Sequence, residues 1–190
     1  MGFEAEKKLF AGPFEKTQMV RHGMHLGIKW AVCIGGMAYG ANGYVQIPKE
    51  HPWAKVACYD DVPIDAHGGL TYGWKEFHPV PLPEGMENVP NLFTEEWAKK
   101  MSKAYEDVDG WVGFDTAHYG DAPMSQEERA ANGISPMDSM VWASFQRTGP
   151  FERSWTINEV AVECIDMCEQ VDRNWNWKEE EEAGGAGNSD

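Results

Sequence analysis

Residues 28–48 read IKWAVCIGGMAYGANGYVQIP, and the fold depends on how this stretch divides. Residues 28–34 and 43–48 are rich in β-branched and aromatic side chains, and a Gly- and Asn-rich link separates them. Apolar runs bounded by turn formers read as the two strands of a hairpin. The link, 35–42, is longer than a tight turn and reads as a mobile flap.

Outward from this hairpin, 66–74 (AHGGLTYGW) and 110–117 (GWVGFDTA) read as a third and a fourth strand. Between them, Trp97, Ala98, Met101, Tyr105 and Val108 recur at helical spacing within 93–108, with Thr94 as N-cap. Ser125 and Glu128 form a capping-box pattern for a short helix stopped at Asn132-Gly133, and Ser135-Pro136 opens another running to about Gln146. The strongest helix signal is the last. Thr156 caps, Glu159 completes the box, Trp155 and Val160 staple, and Val160, Ala161, Cys164, Ile165, Cys168 and Val171 form an apolar stripe. The expectation is a single α+β domain over 1–177, with a mostly antiparallel sheet of about four strands covered by helices, the last of them amphipathic. Residues 178–190, acidic and then Gly-rich, read as a disordered tail.

A chain of 190 residues with 42% hydrophobic content and 9 tryptophans has the material for a core without disulfide or metal staples. Its formal net charge of −15 opposes generic nucleic-acid binding and anionic membranes. No run of roughly 18 to 20 apolar residues is present and the N-terminus lacks a signal-peptide layout, so a cytoplasmic protein is expected. Cys33, Cys58, Cys164 and Cys168 are scattered and read as structural thiols of a reducing compartment.

Two segments concentrate the polar chemistry. In 67–73 (HGGLTYG), paired glycines follow His67 inside an otherwise good strand, a placement that lets another backbone or a ligand approach closely; a β-bulge with a hydrogen-bonded His67 is the alternative. In 113–121 (GFDTAHYGD), Asp115 and Asp121 flank His118 where a strand passes into a loop. His67, Asp115, His118 and Asp121 together have the nitrogen and oxygen composition that suits zinc, manganese or non-haem iron. An Asx-type turn with His118 as partner is the competing reading. The candidate ligand-binding set is His67, Gly68, Gly69, Thr71, Tyr72, Asp115, Thr116, His118 and Asp121. Tyr72, Trp74, Trp111, Phe114 and Tyr119 lie close by in sequence as a platform for a flat ring. Arg147 and Arg153 are candidates for phosphate contacts. His22, His25 and His51 read as surface or turn residues. Walker, GxGxxG, GxSxG, HExxH and CxxC patterns are absent from the sequence.

HGGLTYG at 67–73 and GWVGFDTAHYGD at 110–121 resemble a family of largely uncharacterised small proteins encoded by phages and prophages. The likeness extends to NGYVQIPKEHPW at 42–53 and more loosely to the terminal helix, while the stretch between Asp121 and Trp155 departs from the family pattern. The resemblance implies a shared fold and a shared site at His67 and 115–121. The expected function is that of a phage-type accessory protein that binds a small polar, nucleotide-like ligand, with counter-defence by sequestration and, if phage-encoded, residence in the host cytoplasm. The alternatives are a metal-dependent hydrolase of such a ligand, with a divalent ion held by His67, Asp115, His118 and Asp121, and an inhibitor of a host protein. Under the ligand-binding reading homo-oligomerisation completes the site, and under the host-protein reading both motifs are purely structural.

Overall fold

In a computed structural model of the chain, the described residues are 18–34, 39–55, 59–73, 109–146 and 153–184. The expected helix at 93–108, Cys58, Trp74, Arg147 and residues 35–38 of the expected flap lie outside them, while 41–42 of that flap belong to a strand. Five strands, β1 (Gln18–His25), β2 (Ile28–Ile34), β3 (Ala41–Ile47), β4 (Tyr72–Gly73) and β5 (Gly110–Phe114), form an antiparallel sheet ordered β1-β2-β3-β5-β4. The hairpin read from 28–48 is the sheet's centre, with Trp30 opposite Val45 and Ile34 opposite Ala41.

Alternation along these strands sorts the side chains onto two faces. Ile28, Trp30, Val32 and Ile34 of β2, Ala41, Val45 and Ile47 of β3, and Val112 and Phe114 of β5 join one buried cluster. Ala31, Cys33, Tyr44 and Trp111 join Met19 in a second. The first face is covered by the long terminal helix α3 (Ile157–Gly184), whose Val160, Cys164, Met167, Cys168 and Val171 are all fully buried. Each such side chain removed from water stabilises the fold by about 1.5–3 kcal/mol. Gly43 permits the close approach: a Cβ there would lie 2.3 Å from the Phe114 ring and 2.7 Å from Cys164 Sγ.

α3 starts where the sequence placed it. Thr156 N–H donates to Glu159 Oε2 at 2.8 Å and Glu159 N–H to Thr156 Oγ1 at 3.2 Å, which is a closed capping box. Its backbone runs to Gly184, past the boundary at 178 where the tail was expected to begin; 185–190 lie outside the described residues. Helix α1 (Gln126–Ala131) is capped by Ser125, and Glu128 Oε1 accepts from Ile157 N–H at 2.8 Å, tying α1 to the start of α3. Helix α2 is Ser139–Gln146, shorter than expected, because Asp138, three residues after Ser135, takes Met140 N–H on its Oδ1 at 2.8 Å and caps the helix.

Other expectations need correction. The α+β class with a mostly antiparallel sheet is as expected, but among the described residues the sheet has five strands, because 18–25, with its His22 and His25, is an edge strand. Among the described residues the expected third strand is confined to Tyr72–Gly73, with a turn at 67–69 and no regular structure at 66, 70 and 71. The fourth stops at Phe114. A separate two-stranded parallel sheet joins β6 (Asp121–Ala122) to β7 (Arg153–Ser154). His51 sits in a turn but is fully buried, not on the surface. Among the described residues, no helix is long and apolar enough to cross a membrane.

Candidate functional site

Two loops meet at one end of the sheet, 66–71 before β4 and 115–120 after β5. The pairing of Tyr72 with Gly113, extended by Thr71 N–H to Gly113 O at 2.9 Å, holds them side by side. Gly69 N–H closes the first loop onto Ala66 O at 2.9 Å. Gly68 and Gly69 both have positive φ, +67° and +85°, a backbone state that side chains with a Cβ rarely adopt. What approaches Gly68 is the ring of His118, whose atoms lie 2.3–2.5 Å from where a Cβ would stand. The glycine that the sequence marked as a place of close approach is thus filled by the second motif.

Asp121 is the hub. Its carboxylate, 4% exposed, accepts from His67 Nε2 at 2.8 Å and from His118 N–H at 3.0 Å on Oδ2, and from Trp155 Nε1–H at 2.9 Å on Oδ1. Its backbone is fixed as well, with its N–H on His118 O at 3.0 Å and its C=O receiving the Tyr39 hydroxyl at 2.8 Å. Burial pushes its pKa up, but the hydrogen bonds from His67, Trp155 and the His118 backbone, with the charge of His67, outweigh it and hold it below the ordinary carboxylate value. The ionised form is therefore the resident one. Burial and the nearby Asp121 charge together raise the Tyr39 phenol, which stays protonated as a donor.

His67 is held from three sides. Its ring packs on Trp155 with centroids 4.5 Å apart, its backbone N–H donates to Glu163 Oε1 of α3 at 2.9 Å, and its Nε2 faces Asp121. The His118 ring meets it edge-on at 5.2 Å. His118 Nδ1 is buried and has no hydrogen-bond partner, and it lies 3.6 Å from Asp115 Oδ1 and 3.7 Å from Asp121 Oδ2. Those separations are too long for hydrogen bonds. One ligand atom each from His67, His118 and Asp121 lie within 4.8 Å of one another, a group that can hold a metal ion. Of the four residues expected as ligands, Asp115 stands beside this group but outside it, and its Oδ1 accepts Ala117 N–H at 2.9 Å in an Asx-type turn.

The rest of the expected set is dispersed. Thr116 is buried with its hydroxyl on Ala41 O at 3.0 Å. Tyr72 packs on Tyr44 at 5.6 Å, in the cluster on the face away from α3, and accepts from Asn42. Thr71 Oγ1 is buried without a partner. Among the described members of the aromatic platform, Trp111 and Phe114 are core residues, and Tyr119, 95% exposed, faces solvent. Arg153 meets the second loop through its backbone, its N–H donating to Gly120 O at 3.3 Å, while its side chain lies over Trp155, 3.7 Å from the ring centroid, and pairs with Glu159. Trp155, Glu163 and Tyr39 were missed as site residues. Trp155 carried a signal, its staple position before the α3 cap, but that predicts packing and not a donor to Asp121. Buried Cys164 and Cys168 have thiol pKa values raised chiefly by burial, so they are unreactive packing groups.

Comparison of the chain with protein-family models, with curated proteins and with solved structures finds no match.

Proposed function

We propose that His67, His118 and Asp121 hold a divalent metal ion, and that the protein uses it to act on a small polar ligand by hydrolysis. The observation that carries this reading is the buried Nδ1 of His118. If that nitrogen bears a lone pair, it faces two carboxylates unfavourably, and if it bears a proton, both acceptors are out of reach at 3.6 and 3.7 Å. A cation shared with the Asp121 carboxylate resolves both problems. With ligand bonds of about 2.0–2.2 Å, atoms sharing one ion stand at most about 4.4 Å apart; the 2.8 and 3.7 Å separations from Asp121 Oδ2 fit within that reach, and the 4.8 Å that bounds the whole group asks the ligands to close by no more than about 0.4 Å on binding.

Two imidazoles and one carboxylate suit zinc, manganese or non-haem iron, and three protein ligands leave positions for water and substrate, as catalytic sites do. His67 and His118 keep 27% and 28% of their side-chain surface exposed, so the group is open on one side. When bound, such an ion acidifies water and polarises a carbonyl or phosphoryl oxygen. Asp115, beside His118 and outside the ligand group, is positioned as the carboxylate that moves the proton. The formal net charge of −15 favours cations over anions in general.

Calorimetric titration of chelator-treated protein with Zn²⁺ and Mn²⁺ tests the reading. One equivalent is expected to bind, and His118→Ala is expected to weaken it at least 100-fold in protein that still folds. Absence of stoichiometric binding overturns it. The 2.8 Å His67–Asp121 bond favours a second reading, a metal-free acid–base pair in which Asp121 orients His67. That reading requires the chelator-treated protein to turn over a ligand that His67→Gln does not.

A further inference from the structure

We infer that Trp155 is a positioning residue that assigns the two oxygens of Asp121 to different tasks, Oδ1 to the indole and Oδ2 to the metal, so that Asp121 binds the ion through one oxygen. This rests on the metal reading above.

The indole N–H donates to Asp121 Oδ1 at 2.9 Å within a buried contact, while Oδ2 faces His67 and His118. A carboxylate rotates readily about its Cβ–Cγ bond unless both oxygens are engaged, and here each has its own donor. The donor is itself immobile. Trp155 is 5% exposed, with the His67 ring on one side at 4.5 Å and the Arg153 guanidinium 3.7 Å from its centroid. Its backbone lies between β7, which pairs with β6 at Asp121, and the capped start of α3, so the element that presents Asp121 also anchors Trp155. Groups that hydrogen-bond to metal ligands fix their orientation, and their loss lowers metal affinity by about 10–100-fold. Trp155 is also where the helix meets the site: α3 supplies Glu163 to the His67 backbone, and Trp155 supplies the N–H to Asp121.

The test replaces Trp155 with Phe, which keeps a ring between His67 and Arg153 and removes the donor. Wild type and Trp155→Phe are titrated with Zn²⁺, and both are loaded with Co²⁺ for visible absorption. The expected result is a 10–100-fold weaker Zn²⁺ affinity, together with a changed Co²⁺ band pattern as the freed Oδ1 joins the ion. A merely structural Trp155 lowers the midpoint of thermal unfolding but leaves the cobalt spectrum of folded protein unchanged, and that outcome, or an affinity within twofold of wild type, overturns the assignment. If wild type itself takes up no Zn²⁺, the metal reading fails, and the inference with it, an outcome visible before any variant is made. A measurement on wild type alone covers the case in which the variant does not fold. The Trp155 indole N–H is expected to stay protected from hydrogen exchange when Zn²⁺ is saturating, and rapid exchange in the loaded protein shows that the bond is not kept and overturns the inference.

Discussion

Helix α3 carries two histidine–tryptophan corners that use the same chemistry to opposite ends. Near its middle, His51 is fully buried between Trp53 and Trp175, with ring centroids at 4.7 and 5.7 Å. Its Nδ1 accepts Trp53 N–H at 3.1 Å, so Nε2 carries the proton and donates to Val171 O at 3.0 Å. Both nitrogens are satisfied by backbone, and burial, which outweighs the Val171 bond, keeps the ring's pKa below its ordinary value. Near the start of α3, His67 and His118 are part-exposed, face carboxylates in place of backbone, and leave one buried nitrogen without a partner. A closed corner whose groups are all satisfied can only stabilise. The open corner has capacity left for something else.

The sharpest way to break this contrast is to remove His51. His51→Ala leaves a cavity and strips the Trp53 N–H and the Val171 C=O of partners, and we expect a loss of about 2–4 kcal/mol in denaturant unfolding. Zn²⁺ affinity of the folded variant is expected to match wild type. A drop in affinity as large as that of His118→Ala shows that the two corners are one unit and removes the distinction.

A smaller effect comes from the two adjacent glycines. Gly68→Ala and Gly69→Ala both force a Cβ into positive φ, which costs about 1–2 kcal/mol each. Only the Gly68 methyl collides with the His118 ring, at 2.3–2.5 Å, and nothing lies within 4 Å of one at Gly69. The shared backbone cost is therefore expected in both, with a larger total loss for Gly68→Ala and Zn²⁺ affinity falling at least tenfold only in that variant. Equal affinities in the two variants show that the place of His118 does not matter to the ion.

The sequence carried the closed parts of this molecule better than the open ones. The hairpin of β2 and β3 and the start of α3 were legible because their signals are local, namely β-branched runs, a capping box and a stripe at helical spacing. β1 was not, because QMVRHGMH is an edge strand whose exposed residues break the alternation. The start of the third strand was misjudged because Gly68 and Gly69 take positive φ in a turn, and Gly68 serves a contact made 50 residues later. His67, His118 and Asp121 were legible as one group with Asp115, but their geometry was not, and Thr116 and Tyr72 looked equally eligible although their hydroxyls are engaged elsewhere. His51 was misread for a related reason: its carbonyl partner, Val171, lies 120 positions away.

The pH dependence of stability separates the two corners with the smallest energies. His51 has a folded pKa below the ordinary 6.5, so the unfolded chain takes up its proton first. Its contribution is complete above about pH 6.5 and is lost as pH falls from there through the folded pKa, at no more than about 1.4 kcal/mol per pH unit for one proton. Asp121 also has a lowered pKa, but from 3.8, so its contribution persists until pH falls below that value and through the folded pKa. Glu159, lowered chiefly by the Thr156 backbone bond, declines in the overlapping window below 4.5. Unfolding free energies of metal-free protein are therefore expected to fall in two stages on acidification. The stage that begins near pH 6.5 should vanish in His51→Gln and persist in Asp121→Asn, while the more acidic stage should shrink in Asp121→Asn and persist in His51→Gln. If Asp121→Asn abolishes the upper stage instead, the proton uptake belongs to the open corner, and the assignment of His51 as the titrating structural group is wrong.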